Sequence, residues 1–222
     1  MNTSYSGIGM TSQRTRMRMV ERLRQQGIRD EIVLSVMGEV PRHLFLDEAL
    51  ADRAYDDKSL PIGFGQTISL PFTVARMTEL ARARGDQSDL NKVLEIGTGC
   101  GYQCAVLARV AKVVHSIERL VQLTARARKN LLNARVTNAR LRHGDGHKGM
   151  PTEAPFDVIV MTAAATHVPK ALLEQLAVGG RMIFPMVKGE EQHLWVIERT
   201  AQGLREKRMD AVKFVPLLPG TG

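Results

Sequence analysis

The sequence contains little cysteine, few aromatic residues and no long apolar run. Its 222 residues include two cysteines and 5% aromatic residues. Such sparse cysteine excludes a disulfide scaffold and favours a reducing compartment, so we expect a cytoplasmic protein. The longest uncharged stretch near the middle, residues 158–169, has 12 residues. A membrane helix needs roughly 18 apolar residues, so we expect no transmembrane helix.

Charge is missing from the first 13 residues, which are rich in serine, threonine and glycine. A secretory signal places basic residues before an apolar core, whereas here Arg14, Arg16 and Arg18 follow a polar segment. We therefore expect residues 1–13 to form a flexible arm. At about 150 residues per domain, residues 14–222 are expected to form a single domain.

Histidines at metal-ligand spacing are also missing. The six histidines include no H-E-x-x-H pattern, so we expect no metal site. Cys100 and Cys104 lie four residues apart on a predicted helix, which is poor geometry for a disulfide. No histidine is placed beside Cys100 by the sequence, so we interpret it as a small residue in a tight turn and not as a nucleophile.

Positive charge exceeds negative charge, with 31 Lys and Arg against 23 Asp and Glu and a net charge of +8. Most of the excess lies in residues 119–148, which contain eight basic residues and one acid, Asp145. Such a segment could attract nucleic acid or acidic partners. Because no aromatic side chains are interleaved with the basic ones, we favour a solvated helix face and its flanking turns.

Helical spacing of apolar residues dominates the N-terminal part. Residues 14–27 and 30–40 are predicted helices, with Gly27 as the stop of the first and Asp30 as the cap of the second. Glycine and proline in the following loop indicate extended and turning backbone. The remaining elements expected here are a short helical piece at 45–50, the loop at 59–71, a helix at 72–83 and a polar break at 85–91.

After the polar break, short apolar runs alternate with segments of helical length. This pattern predicts a mostly parallel sheet, since parallel strands need long crossovers. The fold class is therefore α/β, a doubly wound Rossmann-like sheet with N-terminal helices and antiparallel C-terminal strands. The predicted strands are 93–96, 113–117, 139–143, 158–161, 181–186, 193–199 and 205–215, and the predicted helices are 102–111, 120–133 and 169–178.

A glycine turn follows the first of these strands, in the sequence V-L-E-I-G-T-G-C-G-Y-Q from Val93 to Gln103. Three alternate glycines between a strand and a helix leave room for a ligand beside free backbone amides. The spacing G-x-G-x-G departs from the G-x-G-x-x-G of dinucleotide-binding turns, which argues against a nicotinamide cofactor. Glu95, just before the turn, would repel a phosphate and attract the ammonium group of a ligand.

Two further acids follow the next two strands. Glu118 closes the second strand, where α/β nucleotide sites place a carboxylate on ribose hydroxyls. Asp145 lies between two glycines after the third strand, where it could meet an adenine amino group or simply favour a tight turn. All three acids lie near one edge of the predicted sheet. A ligand with an ammonium group, a ribose and an adenine is S-adenosylmethionine, which we predict as the cofactor.

Motifs more restrictive than the glycine turn show that the chain resembles the protein-L-isoaspartate O-methyltransferase family over residues 14–217. The most specific are the loop L-P-I-G-F-G-Q-T-I-S-L-P, ending at Pro71, and the segment V-K-F-V-P-L, ending at Leu217. Two positions depart from the family: Cys100 stands where Ser is common, and Thr166 begins a run that often contains proline. The other matching segments are Pro41 to Phe45, Val93 to Gln103, Ser116 to Arg119, Gly144 to Gly146, Pro155 to Asp157 and Thr162 to Ala164.

The resemblance implies methyl transfer from S-adenosylmethionine to the free α-carboxylate of L-isoaspartyl residues in damaged proteins and peptides, with S-adenosyl-L-homocysteine as product. The ester then closes to a succinimide, whose hydrolysis returns part of the material to normal aspartate. Ser69 matches the active-site serine, in an N-terminal part (14–90) of helices and substrate loop that precedes the cofactor-binding sheet (91–222). The residues expected to contact the cofactor are Glu95, Gly97, Thr98, Gly99, Gly101, Glu118, Arg119, Asp145 and Gly146, with Thr67 and Ile68 lining the same site.

Two other functions stay open at this point. The basic segment 119–148 motivates an RNA methyltransferase, and the cofactor fold alone would also serve a small-molecule methyltransferase. An RNA enzyme would need a motif for a flipped base, which we do not find. A nucleic-acid-binding module without catalysis would be favoured by loss of Glu118 or of the glycine turn, and both are present.

Overall fold

The computed structural model describes residues 8–83 and 90–222. The strands in these residues form a two-stranded hairpin and a seven-stranded sheet. The hairpin precedes the sheet in the chain. Its strands are β1 (Leu60–Gly63) and β2 (Gln66–Ile68). The sheet contains β3 (Leu90–Ile96), β4 (Ala111–Glu118), β5 (Ala139–His143), β6 (Phe156–Met161), β7 (Leu176–Lys188), β8 (Glu191–Thr200) and β9 (Gly203–Ala211).

The order of strands across the sheet is β5-β4-β3-β6-β7-β8-β9. From β5 to β7 the neighbours are parallel, and β8 and β9 extend the sheet as antiparallel strands. The direction of progression reverses between β3 and β6, because the chain first adds β4 and β5 on one side and then β6 and β7 on the other. Ligands of open α/β sheets bind at the carboxyl ends of strands beside such a reversal.

Helices lie on both faces of the sheet. The helices are α1 (Gln13–Gln25), α2 (Glu31–Glu39), α3 (Glu48–Ala51), α4 (Pro71–Arg82), α5 (Tyr102–Leu107), α6 (Val121–Asn133) and α7 (Lys170–Glu174). Four short 3₁₀ turns occur among the described residues, at Gly9–Thr11, Arg42–Phe45, Gly146–Lys148 and Pro151–Glu153. Together with the sheet, these elements confirm the predicted doubly wound α/β class.

Alternation along the strands divides the core into two clusters. Val93 of β3 and Val114 of β4 pack with residues of α1, α2, α4, α5 and α6 on one face. Leu94 of β3 and Phe184 of β7 pack with Leu172 of α7 on the other. Successive residues of a strand point to opposite faces, so buried apolar residues in succession mean that both faces are covered. All five of these side chains are fully buried.

Residues 8–13, part of the expected flexible arm, have regular local structure. Gly9–Thr11 form a 3₁₀ turn, and α1 begins at Gln13. The Thr11 hydroxyl donates to the Ile8 carbonyl over 2.8 Å and accepts the Ile8 N–H over 3.0 Å. Polar side chains that suggested solvation thus satisfy the backbone locally. Residues 1–7 of the predicted arm and residues 85–89 of the predicted break lie outside the described residues, and β3 already begins at Leu90.

Two predicted helices are too long, and the predicted loop contains strands. The helix predicted at 102–111 ends at Leu107 because Ala111 already pairs in β4. The helix predicted at 169–178 ends at Glu174 because β7 begins two residues later. Apolar runs of this length suit either structure, and pairing with neighbouring strands decides between them. The loop at 59–71 folds into the β1–β2 hairpin before α4 begins at its last residue, Pro71.

Asp30 caps α2 as predicted and also joins α2 to α4. Its Oδ1 accepts the backbone N–H groups of Ile32 and Val33 over 2.9 and 3.2 Å. Its Oδ2 accepts from Arg82 Nε over 2.7 Å. The Arg82 side chain is only 7% exposed, so this pair is more shielded than most surface ion pairs.

We expect Asp30→Ala to lower the free energy of unfolding by about 1–3 kcal/mol, because it removes both the cap and the acceptor for Arg82. Asp30→Asn is the matched control, since its amide oxygen still caps the helix, and it should lose less. Urea denaturation measures both. An Ala variant as stable as wild type would contradict the prediction.

Candidate active site

The glycine turn between β3 and α5 is anchored to the end of β4. Gly97 N–H donates to the Ile117 carbonyl over 2.8 Å, and Thr98 N–H donates to the same oxygen over 3.3 Å. Gly97 and Gly101 have φ of +94° and +93°, in the left-handed region that favours glycine. The turn thus bends sharply at both ends, and Gly101 is the residue from which α5 begins.

Gly97 is also needed for space. A Cβ atom at this position would collide with Thr162 Oγ1, which follows β6. Thr162 Oγ1 lies 2.6 Å from the Gly97 carbonyl and 3.0 Å from the Ile96 carbonyl, and Thr162 N–H donates to Ile96 over 2.9 Å. The ends of β3 and β6 are therefore joined directly where the strand order reverses.

Glu118, at the end of β4, holds the outer side of the turn. Its Oε2 accepts the Gly99 N–H over 2.8 Å, and its Oε1 accepts the Leu120 N–H over 3.0 Å. The side chain is 5% exposed and lines a cavity together with Gly99 and Leu120. A carboxylate oxygen accepts more than one hydrogen bond, so Glu118 can hold the turn and still accept from ligand hydroxyls.

The structure does not place Glu95 where a ligand ammonium could reach its side chain. Glu95 is fully buried and is absent from the cavity lining. Its Oε2 lies 2.5 Å from Ser116 Oγ, which in turn lies 2.5 Å from Thr98 Oγ1. The reason is strand alternation: Glu95 shares the face of Val93, which α5 covers, and so does not reach the open edge.

Burial raises the pKa of the Glu95 carboxyl to about 8, although the Ser116 hydrogen bond acts in the opposite direction. The nearby Glu118 carboxylate raises this pKa further. Glu95 is thus protonated at neutral pH, and the row Glu95, Ser116 and Thr98 lies under the turn as a neutral hydrogen-bonded group. Only Thr98 of these three lines the cavity.

Asp145 also differs from the expected direct contact. Its carboxylate accepts the His147 N–H over 2.9 Å and so caps the 3₁₀ turn Gly146–Lys148. Burial opposes ionisation, yet hydrogen bonds from the backbone of Gly220 and His147 hold the pKa of Asp145 below its usual value. The cavity wall here is formed by Gly146, where a Cβ atom would collide with Ile96.

The hairpin supplies the opposite wall of the cavity. Thr67, Ile68 and Ser69 line it, with Ile68 buried and Ser69 half-buried just before α4. No residue in the described parts of the chain forms a hydrogen bond with the Ser69 hydroxyl, and the described cavity lining contains no histidine and one carboxylate, Glu118. Ser69 is therefore available to donate to a ligand and has no partner here that would make it a nucleophile.

The cavity encloses about 870 Å³ of space, part of it open to solvent. Arg119 lines it as well, as predicted from the end of β4, whereas Gly101 does not and serves to start α5. The sequence did not predict that the motif ending at Leu217 lines this cavity, because no neighbouring residue in the sequence links that motif to the edge of the sheet. The lining residues that the sequence did not assign are Gln66, Val74, Ile96, Cys100, Tyr102, Gln103, Ile117, Leu120, Leu123, Thr162, Ala163, Val215, Pro216, Leu217 and Leu218.

Both cysteines are free and buried. Burial raises the pKa of the Cys100 thiol, which keeps it in the unreactive thiol form at neutral pH. In the described parts of the chain no three His, Cys, Asp or Glu side chains form a group that could hold a metal ion. No helix among residues 8–83 and 90–222 is long and apolar enough to cross a membrane.

The cavity suits S-adenosylmethionine in both shape and polarity. Gly97 and Gly99 bring backbone close to the space, and the Glu118 carboxylate is aimed at it from the end of β4. Apolar side chains of Ile117 and Leu217 can cover an adenine ring. This combination of fold and site defines the class of Rossmann-like S-adenosylmethionine-dependent methyltransferases.

Comparison with known proteins narrows the class. A model of the protein-L-isoaspartate(D-aspartate) O-methyltransferase (PCMT) family matches residues 14–221, and the chain belongs to this family. A protein-L-isoaspartate O-methyltransferase of Chromobacterium violaceum is 62% identical over 96% of this chain and 95% of its own length. One of Methylobacillus flagellatus is 58% identical over 99% of both chains.

Two solved structures share the fold of this chain. A protein-L-isoaspartate O-methyltransferase superposes with a TM-score of 0.82 and 27% identity, covering 93% of this chain and 67% of the other. A Plasmodium falciparum structure described as such a methyltransferase in complex with S-adenosyl-L-homocysteine has a TM-score of 0.76 and 24% identity, covering 91% and 98% of the two chains. The second likeness supports the fold.

The buried carboxyl of Glu95 predicts a pH-dependent stability. The unfolded chain releases this proton near pH 4.5 and the folded chain near pH 8. Between these values the folded state holds more protons, so stability falls as the pH rises from 4.5 to 8, by up to roughly 1.4 kcal/mol per unit. Glu95→Gln has no proton to lose and should lack this contribution.

The measurement is the free energy of unfolding from urea titrations between pH 5 and pH 8, for wild type, Glu95→Gln and the exposed control Glu190→Gln. We expect the difference between wild type and Glu95→Gln to change with pH, and the control to follow wild type. Parallel curves for wild type and Glu95→Gln would show that Glu95 is ionised in the fold.

Proposed function

We propose that this chain transfers a methyl group from S-adenosylmethionine to the free α-carboxylate of L-isoaspartyl residues in damaged proteins and peptides, and so begins their repair through a succinimide. The observation that carries the proposal is that one cavity is lined both by the glycine turn and by Thr67 and Ile68 of the hairpin with the following Ser69. The hairpin motif distinguishes this family from other methyltransferases with the same turn. Family membership over residues 14–221 supports it.

We assign the cofactor contacts by position in the cavity. Gly97, Thr98 and Gly99 would lie along the methionine part of the cofactor, and Glu118 would accept from the ribose hydroxyls. Gly146, with the apolar lining around it, would face the adenine. Arg119 would border the same end. Thr67 and Ile68 would close the cavity from the hairpin. Glu95 would act through Ser116 and Thr98, by keeping the turn in shape, and Asp145 and Gly101 through the backbone that they hold.

Bound S-adenosylmethionine supplies an electrophilic methyl group on a positively charged sulfur. The acceptor is a carboxylate with an ordinary pKa of about 4, so it is already ionised at neutral pH and needs no general base. The absence of histidine from the described cavity lining is consistent with this chemistry. The chain's contribution is to hold the acceptor in line and to exclude water, and such positioning can be worth on the order of 7–11 kcal/mol.

Ser69 would orient the acceptor carboxylate by donating a hydrogen bond to it. Its hydroxyl lacks a partner among the described residues, and its backbone is held between β2 and the Pro71 start of α4. Gly63 and Gly65, with φ of +85° and +68°, turn the hairpin so that β2 returns toward the cavity. The hydroxyl is therefore placed by the two regular elements on either side of it, β2 and α4.

The basic segment 119–148 does not favour RNA as the substrate. Arg126 contacts the Ile62 carbonyl over 2.9 Å and forms an ion pair with Asp47 over 2.9 Å. Arg128 and Arg140 contact carbonyl groups of their own neighbourhood. Three of the eight basic side chains of this segment therefore bond within the fold, and its excess charge alone is not evidence for a phosphate-binding surface.

We further propose that residues 14–222 work as one domain in the cytoplasm. The division at about residue 90 would separate helices and hairpin, which receive the substrate, from the sheet, which binds the cofactor. One core cluster contains side chains of both parts, including Met19 and Val93, which supports joint folding. Two free, buried cysteines suit a reducing compartment.

The direct test uses two synthetic peptides that differ only in one Asp or isoAsp residue, incubated with the protein and methyl-labelled S-adenosylmethionine. We expect base-labile methyl ester on the isoAsp peptide alone, because only its α-carboxylate is free in a side-chain position. Equal labelling of both peptides, or none, would overturn the proposed acceptor and direct attention to RNA and small molecules.

Two variants should distinguish the residue that orients the acceptor from the residue that binds the cofactor. Ser69→Ala should lower kcat by about tenfold or more, the value of a hydrogen bond to a charged group, with the cofactor Kd unchanged. Glu118→Ala should weaken cofactor binding, because it removes the acceptor of the ribose and releases the Gly99 N–H. Calorimetry with S-adenosyl-L-homocysteine and initial rates with the isoAsp peptide measure both effects. Wild-type turnover in Ser69→Ala, or wild-type affinity in Glu118→Ala, would contradict the corresponding role.

A further inference from the structure

A phenylalanine occupies the tip of the β1–β2 hairpin, where folding alone would select a different residue. Phe64 and Gly65 are the two residues between the paired positions Gly63 and Gln66. Both have positive φ, +54° and +68°. Two-residue hairpin turns with positive φ at both positions favour Asn-Gly, Asp-Gly or Gly-Gly, and a bulky side chain in this region is a strained exception.

No aromatic or cation–π contact within the described chain compensates for this strain. The Phe64 side chain is 57% exposed. It takes part in none of the ring contacts found among the described residues. The positions of Gly63 and Gly65 have no heavy atom within 4 Å of a Cβ built there, so the tip projects into open space. Backbone strain of this kind is concentrated at functional sites.

The base of the hairpin, by contrast, is firmly held. Ile62 is 1% exposed, and its Cδ1 lies 3.4 Å from the position that a Cβ of Gly99 would occupy. The Ile62 carbonyl accepts from Arg126 over 2.9 Å. The Gln66 side chain lines the cavity and donates to the Phe64 carbonyl over 3.3 Å. Phe64 is therefore exposed at the tip of a hairpin whose base is packed and whose second strand lines the cavity.

We propose that Phe64 is a contact for the substrate polypeptide, on which an apolar side chain near the isoaspartyl residue packs. This inference rests on the proposed function. In the proposed function the acceptor residue lies in the cavity, and the chain on either side of it crosses the surface around Ser69. Phe64 precedes the strand β2 that leads directly to Ser69, so the exposed side chain and the proposed acceptor site lie on one short segment.

The hairpin limits how far along the substrate this contact can lie. A strand rises about 3.3 Å per residue, so five residues from Phe64 to Ser69 span at most about 17 Å. An extended substrate covers a similar distance with about five residues. The contacting side chain is therefore expected within five residues of the isoaspartate, and a shorter peptide that ends before it should not be affected by changes at Phe64.

The test uses 13-residue peptides with a central isoAsp, in which the flanking positions on both sides are either Leu or Gln. Wild type should methylate the Leu peptide with a KM about tenfold below that of the Gln peptide, the value expected for burying part of an apolar side chain. Phe64→Asn should remove this preference, with kcat changed less than about twofold because the reacting groups are untouched. Phe64→Tyr should keep it.

Asn tolerates positive φ, so Phe64→Asn should melt at or above the wild-type temperature. A loss of preference therefore cannot be attributed to unfolding. The matched control is Ile32→Asn, which changes a similarly exposed apolar residue, 52% exposed, on α2 and away from the cavity lining. It should retain the wild-type ratio of KM values. A tripeptide with central isoAsp should show the same KM with wild type and Phe64→Asn.

The outcomes separate this inference from the function on which it rests. If wild type methylates isoAsp peptides but shows no preference for Leu, or if Phe64→Asn keeps the preference, the role of Phe64 is overturned and the proposed function stands. If wild type methylates no isoAsp peptide, the proposed function and this inference are both overturned.

Discussion

The joint between the ends of β3, β4 and β6 is the constraint on which the rest of the structure depends. Thr162, after β6, holds the Gly97 carbonyl, and Glu118, at the end of β4, accepts the Gly99 N–H. Three strand ends from separate parts of the chain are thus connected through a turn of five residues. The reversal of strand order leaves a gap between flanking helices at this edge, and the joint makes the gap a shaped cavity instead of a frayed end.

Beneath this joint an acid is buried without charge. Glu95 lies one residue before β3 ends, on the face that α5 covers, so its carboxyl cannot reach water. Desolvation keeps it protonated at neutral pH, and it accepts as a neutral partner from Ser116, whose hydroxyl also bonds Thr98. The neighbouring Glu118 faces the cavity instead. Two acids only a strand apart are thereby given different tasks by their surroundings.

The hairpin completes the site from outside the sheet. Its base packs against the glycine turn through Ile62, and its second strand is followed directly by Ser69, which lines the cavity. Its tip has no such support, which is why an aromatic side chain there is informative. Residues 215–218, far away in sequence, form another part of the same wall. The cavity is therefore built from separate elements that meet only in the folded chain.

Local sequence was sufficient for much of this protein. Periodicity and chain order determined the α/β class, because parallel strands require crossovers whatever the side chains are. The turn at Gly97 and Gly101 and the helix cap at Asp30 could also be predicted, since backbone conformation and capping depend on residues nearby in the sequence. Only the tertiary structure decided that Glu95 is buried, that 59–71 forms a hairpin, and that Leu217 reaches the cavity. Each of these depends on what another segment covers or pairs with, and burial and strand pairing are properties of the assembled fold.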